Sequence, residues 1–338
     1  MTDLNRENTM SSPLNRQISF IKRPEGPVGA DSFEIISSSV PDPEPGQVVI
    51  RNRYLSLDPY MRSALNNAEN LGRPIEGRVV GQVLASRDPG IREGDWVFAM
   101  GRWEEISTVG GSAARPIDVG IAPPSAYLGA LGFTGLTAWS GLVHYGLPSG
   151  GESLFVSAAS GAVGSMAGQI GRILGLRVAG CAGTNDKVAW LKDELGFDAA
   201  FNHRTEPDLT RAIARACPDG IDIDFENVGG AVFDAVFRNM RYGGRIVVCG
   251  AISQYEREPR PCVPNISDFI GKRLVMRGFS VRDHAGEIRD YIDHAAGWLR
   301  EGRLKYRETI VTGLENAPAA FARLFSGENF GKLLIDVS

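Results

Sequence analysis

The chain has no histidine before His144 and no cysteine before Cys181. Its N-terminal part therefore lacks the imidazole and thiolate donors of a zinc centre, leaving Asp58 and Glu76, and two carboxylates without softer partners make a poor zinc site. Four cysteines, at 181, 217, 249 and 262, show no C-x-x-C spacing, so reduced thiols are expected rather than disulfides. Blocks of like charge are missing and the net charge is −4, which argues against a nucleic-acid surface. Apolar runs of membrane-spanning length are missing too. The opening MTDLNRENTMSSPLNR lacks the apolar core of a signal peptide, and the expected location is the cytoplasm. Residues 1–14 are polar and expected to be disordered, with Met10 as a possible second start.

What is present is an ordinary globular composition, 43% hydrophobic and 22% charged, over 338 residues, enough for two cores. The chain is organised around 152–183. An apolar run, Ser153 to Ala158, leads through Ala159-Ser160-Gly161-Ala162-Val163-Gly164 into a helical segment to Leu174 and a second strand, Arg177 to Ala182. The turn is G-x-G-x-x-G with alanine first. Gly161 would let backbone approach a pyrophosphate, Gly164 would let helix and strand pack, and the helix N-terminus would offer free N–H groups. An NAD site carries an acid about 20 residues on. Here the tip reads Gly180-Cys181-Ala182-Gly183-Thr184-Asn185, with Lys187 beyond it and His203-Arg204 after the next strand, and together these favour NADPH. Taken singly, Lys187 also reads as a solvated helix residue and His203 as a surface loop.

Before residue 125 short apolar runs broken by proline and glycine predict a small β-rich, barrel-like unit: Phe33 to Ile36, Gln47 to Tyr54, Arg78 to Ala85, Trp96 to Ala99. Leu128 to Tyr145 is apolar at helical spacing. Thereafter helices near 187–195, 208–216 and 232–240 alternate with strands near 199–202, 220–227, 244–250 and 274–281, which specifies α/β with a doubly wound parallel sheet. A last strand, Lys332 to Val337, is placed to rejoin the first unit.

Tyr54-Leu55-Ser56-Leu57-Asp58-Pro59-Tyr60-Met61-Arg62, the Gly161–Gly164 turn, Asp224 to Gly230, Cys249 to Tyr255 and Gly327 to Lys332 occur in an order that resembles the medium-chain dehydrogenase/reductase superfamily. Within it they resemble the zinc-independent NADPH-dependent double-bond reductases, and the wording is similar to the bacterial curcumin reductases. The resemblance runs from about Arg16 to the C-terminus. It implies a Rossmann NADPH-binding domain, 126–302, and a GroES-like catalytic domain, 1–125 with 303–338. It implies that Gly161, Ala162, Val163 and Gly164 hold the pyrophosphate, Lys187 the 2′-phosphate, and His203 a neighbouring position. It implies that Asn227, Cys249, Gly250, Ala251, Ile252, Ser253, Tyr255, Phe279, Ser280, Val281 and Asn329 line the rest of the cofactor. Asn329 also reads as a turn residue. A homodimer, through an edge strand at 274–281, and a small conjugated carbonyl substrate are implied as well.

Reducing an activated C=C bond needs no Lewis acid, only a hydride and a donor for the charge that collects on the carbonyl oxygen. Tyr255, at the end of a strand-end loop, is the candidate proton donor, with a packing or rim role as the other possibility. Tyr54 and Tyr60 are candidates for an aromatic wall, Tyr54 preferred, with Asp58–Arg62 as an i, i+4 pair. His144, His284 and His294 read as surface or packing residues. The competing functions are a quinone oxidoreductase with the same NADPH site and a non-catalytic NADPH-binding redox sensor.

Overall fold

The computed structural model describes residues 14–256 and 267–338. The expectation of disorder at 1–14 lies outside the described residues except for Leu14, and Cys262 lies outside them as well. Leu14 already belongs to a strand.

Sixteen strands run through the described residues: β1 Leu14–Phe20, β2 Phe33–Ser39, β3 Gln47–Ser56, β4 Arg73–Pro74, β5 Glu76–Ser86, β6 Trp96–Arg102, β7 Ile106–Gly110, β8 Ala114–Pro116, β9 Ser153–Val156, β10 Arg177–Ala182, β11 Ala199–Asn202, β12 Ile221–Glu226, β13 Met240–Val248, β14 Val275–Gly278, β15 Glu308–Thr312 and β16 Lys332–Asp336. Their sheets explain the two textures of the sequence. Strands β9 to β14 form one parallel sheet in the order β11-β10-β9-β12-β13-β14. All of β9 is buried, which is why it reads as an unbroken apolar run rather than an alternation. The second sheet, antiparallel except that β15 runs parallel to β16, takes the order β15-β16-β3-β5-β6-β8, with β7 also on β3, and β1, β2 and β4 form a small third sheet. β16 pairs antiparallel with β3, Leu334 opposite Ser56 and Asp336 opposite Tyr54, so the chain's last strand does return to its first unit.

In the parallel sheet the order reverses between β9 and β12, and a ligand crevice is expected outside the carboxyl ends at that point. Val80, Phe98 and Leu334 of the antiparallel sheet share a buried cluster with Leu154, Val156 and Phe225 of the parallel one. That shared core fixes the crevice between the two sheets.

One expected helix is broken. In place of a continuous Leu128–Tyr145 helix there is a tight turn of helix at Pro124–Leu128, an α-helix at Phe133–Ser140 and a wider-wound end at Gly141–Gly146. Gly132 explains the break, because a Cβ there would stand 2.1 Å from the Tyr127 carbonyl oxygen.

Candidate active site

A cleft of about 720 Å³ opens at the β9/β12 reversal. One wall is the glycine turn. Ala158 takes a left-handed φ of 47°, which folds β9 sharply into the helix Ala162–Ile173. Gly164 is forced by packing, since a Cβ there would lie 2.4 Å from the Ala158 carbonyl oxygen. Alanine fits the first motif position because Gly180 on β10 makes room for it: a Cβ at 180 would lie 2.7 Å from the Ala159 methyl. Gly161 caps the helix without a side-chain bond, so the first-turn N–H groups face the cleft for an anion. Gly331 N–H donates to the Ser160 carbonyl at 3.0 Å, stitching the turn to the C-terminal segment.

At the tip of β10 the cleft wall contains Gly183, Lys187, His203 and Arg204 and no carboxylate. Thr184 Oγ1 accepts from the Lys187 N–H and orients the short helix Asn185–Ala189. Lys187 is only 7% exposed, and its Nζ donates to the Gly327 carbonyl at 2.8 Å. Burial, then the neighbouring Arg204 charge, holds its pKa below the usual lysine value. Arg204 Nη2 donates to the Ser326 carbonyl at 2.6 Å. Burial also lowers the His203 pKa, and His203 Nδ1 is buried without a partner. Two cations that bond only carbonyls and an orphaned ring nitrogen fit a dianionic phosphate.

The opposite edge is carried by β12 and β13. Glu226 was not among the expected site residues, yet its Oε1 accepts from the N–H groups of Val228 and Gly229 and from Ser157 Oγ, and it thereby shapes the Asn227–Gly230 bend. Asn227 N–H donates to Ser157 Oγ at 2.7 Å and its Nδ2 to the Ser157 carbonyl at 2.8 Å. Burial raises the pKa of Glu226, and burial together with Glu226 raises that of Asp224, whose two carboxyl oxygens are buried without a hydrogen-bond partner. The loop after β13 is zipped onto this bend: Ile252 N–H donates to the Asn227 carbonyl, and Ser253 N–H and Oγ both donate to the Val228 carbonyl. Cys249, Gly250, Ile252, Ser253 and Tyr255 reach the cleft, whereas Ala251 stays out of its wall. Ala251 N–H instead donates to Tyr255 Oη at 3.3 Å. Burial pushes the Cys249 thiol up to about 12, so it is a wall group and not a nucleophile. Phe279, Ser280, Val281 and Asn329 line the cleft, and Asn329 Nδ2 also closes a turn on the Gly331 carbonyl.

The two candidate wall tyrosines separate. Tyr60 lines the cleft and is 40% exposed to it. Burial of its ring edge and the Asp58 carboxylate push its phenol up to about 12. Tyr54 does not reach the cleft; it sits on β3 opposite Asp336 with the Arg53 guanidinium 5.2 Å over its ring. It is half-buried and packs against the core shared by the two sheets. The expected Asp58–Arg62 pair is also replaced. Arg62 Nη1 donates to Asn66 Oδ1, while Asp58 accepts from Lys332 Nζ at 2.9 Å and Ser56 Oγ at 2.5 Å and lies 3.7 Å from Arg78. Burial pushes the Asp58 carboxyl up, but Lys332 and Arg78 outweigh it and hold it below the usual range. The Arg78 guanidinium stands 5.3 Å from the Tyr60 ring and 4.7 Å from that of Phe133. The floor of the cleft is thus one carboxylate under two cations.

Two family profiles match the chain: "N-terminal domain of oxidoreductase" over residues 16–117 and "Zinc-binding dehydrogenase" over residues 162–297. The zinc of the second description does not fit this cleft. Its floor carboxylate is already held by an ammonium and a guanidinium, and among the described residues no three histidine, cysteine or acid side chains converge in the cleft to hold a divalent cation. The chain is similar to the 2-alkenal reductase (NADP(+)-dependent) of Nicotiana tabacum, 45% identical over 299 residues that make up 86% of this chain and 87% of that one. It is similar to the NADPH-dependent curcumin reductase of Escherichia coli, 38% identical over 96% of this chain and 97% of that one. The crystal structure of CurA in complex with NADPH from Vibrio vulnificus superposes with a TM-score of 0.90 at 39% identity, covering 96% of this chain and 99% of that one. The chain belongs to the medium-chain dehydrogenase/reductase family, in the branch of the NADP-dependent alkenal, curcumin and prostaglandin reductases.

Proposed function

We propose that the protein reduces the C=C bond of α,β-unsaturated ketones or aldehydes with NADPH and without zinc. The observation that carries this is the cleft itself, which joins an acid-free, cation-lined pocket to an end walled by the Tyr60, Phe133 and Phe279 rings, over a carboxylate already paired with Lys332 and Arg78. Bound there, NADPH supplies a hydride to the alkene β-carbon. The Gly161–Gly164 turn takes the pyrophosphate on its open N–H groups, and Lys187 and Arg204, with His203 beside them, take the 2′-phosphate. Asn227, the Cys249–Ser253 loop, Phe279–Val281 and Asn329 flank the remainder. Tyr60 and Phe279 sandwich a planar conjugated carbonyl, and Tyr255 Oη donates to the carbonyl oxygen where negative charge collects, the proton passing on to the α-carbon.

The chain divides, on this reading, into a GroES-like unit of 1–125 with 303–338 and a Rossmann unit of 126–302, a division that the return of β16 to β3 supports. Two copies pair through β14, the open edge of the parallel sheet, beside exposed Tyr242, Ile270 and Val275. No helix among the described residues is long and apolar enough to cross a membrane, and Cys181, Cys217 and Cys249 are free, which suits the cytoplasm.

The test is NADPH oxidation by chelator-treated protein with a conjugated enone, its saturated ketone and a quinone in parallel. Turnover of the enone with none of the saturated ketone supports the proposal. Turnover of the quinone alone replaces it with a quinone oxidoreductase, and NADPH binding without any turnover replaces it with a sensor.

A further inference from the structure

Outside the cleft, two imidazoles and a carboxylate converge from segments 143 positions apart in the chain. His144 lies in Gly141–Gly146, the wide-wound end of the helix packed on the parallel sheet; His284 and Glu287 lie in the turn Val281–Glu287. His144 Nε2 is 2.8 Å from Glu287 Oε2, and His284 Nδ1 is 2.8 Å from Glu287 Oε1. The two rings stack with centroids 4.5 Å apart and planes 8° from parallel. One donor atom from each residue lies within 4.8 Å of the others, and among the described residues no other such group of histidine, cysteine or acid side chains occurs.

We propose that His144, His284 and Glu287 bind one divalent transition-metal ion of the Zn²⁺ type, which clips the 141–146 segment to the 281–287 turn. Two imidazole nitrogens and one carboxylate oxygen are a donor set of zinc chemistry, with water completing a fourth position. Bonds of about 2.0–2.2 Å set tetrahedral ligand atoms roughly 3.4 Å apart, so the nitrogens have to part from the carboxylate by about half an ångström, and one ring has to turn out of the stack, because each lone pair lies in its ring plane and parallel planes do not meet at one ion. His144 and Glu287, 38% and 35% exposed, have the room to make that adjustment, while His284, 13% exposed, is the fixed ligand. The ion needs a lone pair on the nitrogens that now face the carboxylate, so the ring proton has to sit on the other nitrogen of each imidazole. For His284 the proton then sits on Nε2, which is 3.2 Å from Tyr145 Oη, and the hydroxyl oxygen accepts it as an outer partner that fixes the ring. The site is separate from the cleft but touches it, since the Tyr145 ring stacks on Phe279 at 5.0 Å.

The experiment is titration of the full-length, chelator-treated protein with Co²⁺, followed by its visible absorption, and with Zn²⁺ by calorimetry and thermal unfolding. The proposal expects one ion per chain, a rise in Tm with Zn²⁺, and at least a tenfold loss of affinity with no Tm rise in His144→Ala and His284→Ala. His144→Ala carries the test should the His284 variant fail to fold, because the His144 ring is part-exposed; Glu287→Gln keeps the shape, loses the anionic ligand and should weaken binding. No binding to the wild type, or wild-type affinity in both histidine variants, overturns the site and leaves any uptake as adventitious.

Discussion

Replacing Lys187 by alanine should separate NADPH from NADH. The ammonium is 7% exposed, donates only to the Gly327 carbonyl at 2.8 Å, and has no ion-pair partner among the described residues. Burial and Arg204 lower its pKa, so the apo protein holds a charge that its surroundings disfavour and that an arriving phosphate would stabilise. A hydrogen bond to a charged group contributes about 1.5–3 kcal/mol and each 1.4 kcal/mol is tenfold, so the KM for NADPH should rise about ten- to hundredfold. NADH has no 2′-phosphate, and its KM should hardly move. Because Arg204 remains, the double variant with Arg204→Ala should lose more. The assay is initial rate against each cofactor, with circular dichroism to confirm the fold. Equal rises for both cofactors would show that Lys187 acts by holding Gly327 in place, and unchanged values would refute the phosphate assignment outright.

Gly164→Ala forces a methyl against the Ala158 carbonyl, and overpacking of this kind costs about 1–3 kcal/mol, to be read as a lower Tm with weakened NADPH binding. Asp58→Asn leaves Lys332 buried without its anion, a loss of about 3–5 kcal/mol in a chemical denaturation curve at neutral pH. Its pH signature has a definite sign. The folded Asp58 pKa lies below the ordinary carboxylate value of about 3.9, so its contribution is full above that pH and fades as pH falls through the folded pKa; the variant should show a flatter acid limb. Tyr60→Leu should raise the KM for an enone while Tyr54→Leu should not, and the reverse pattern would restore Tyr54 as the wall.

The parallel sheet was legible because buried strands and packed helices write themselves as apolar runs punctuated by glycine, and β11 at Ala199–Asn202 lies where the alternation put it. The acid-free, cation-lined wall at the tip of β10 was legible through an absence, the missing acid after that strand. What sequence did not disclose depended on contacts between distant segments. Lys332 meets Asp58 across 274 positions, and nothing local at Asp58 distinguishes that partner from Arg62 four residues on. Tyr54 and Tyr60 flank the same motif, and only the folded chain separates them, Tyr60 lining the cleft and Tyr54 packing against the shared core. Glu226 was visible within the Asp224–Gly230 motif, but its role, gathering the N–H groups of Val228 and Gly229, appears only once the bend is formed. His144 and His284 looked ordinary because their convergence is set by the packing of a helix end on a turn.

The most direct test of the central claim is the fate of hydrogen in the product. An enone reduced with unlabelled NADPH in D₂O should yield the saturated ketone carrying deuterium at the α-carbon and none at the β-carbon, at a rate cut severely by Tyr255→Phe with NADPH binding unchanged. An allylic alcohol, or deuterium at the β-carbon, would contradict hydride delivery to the alkene.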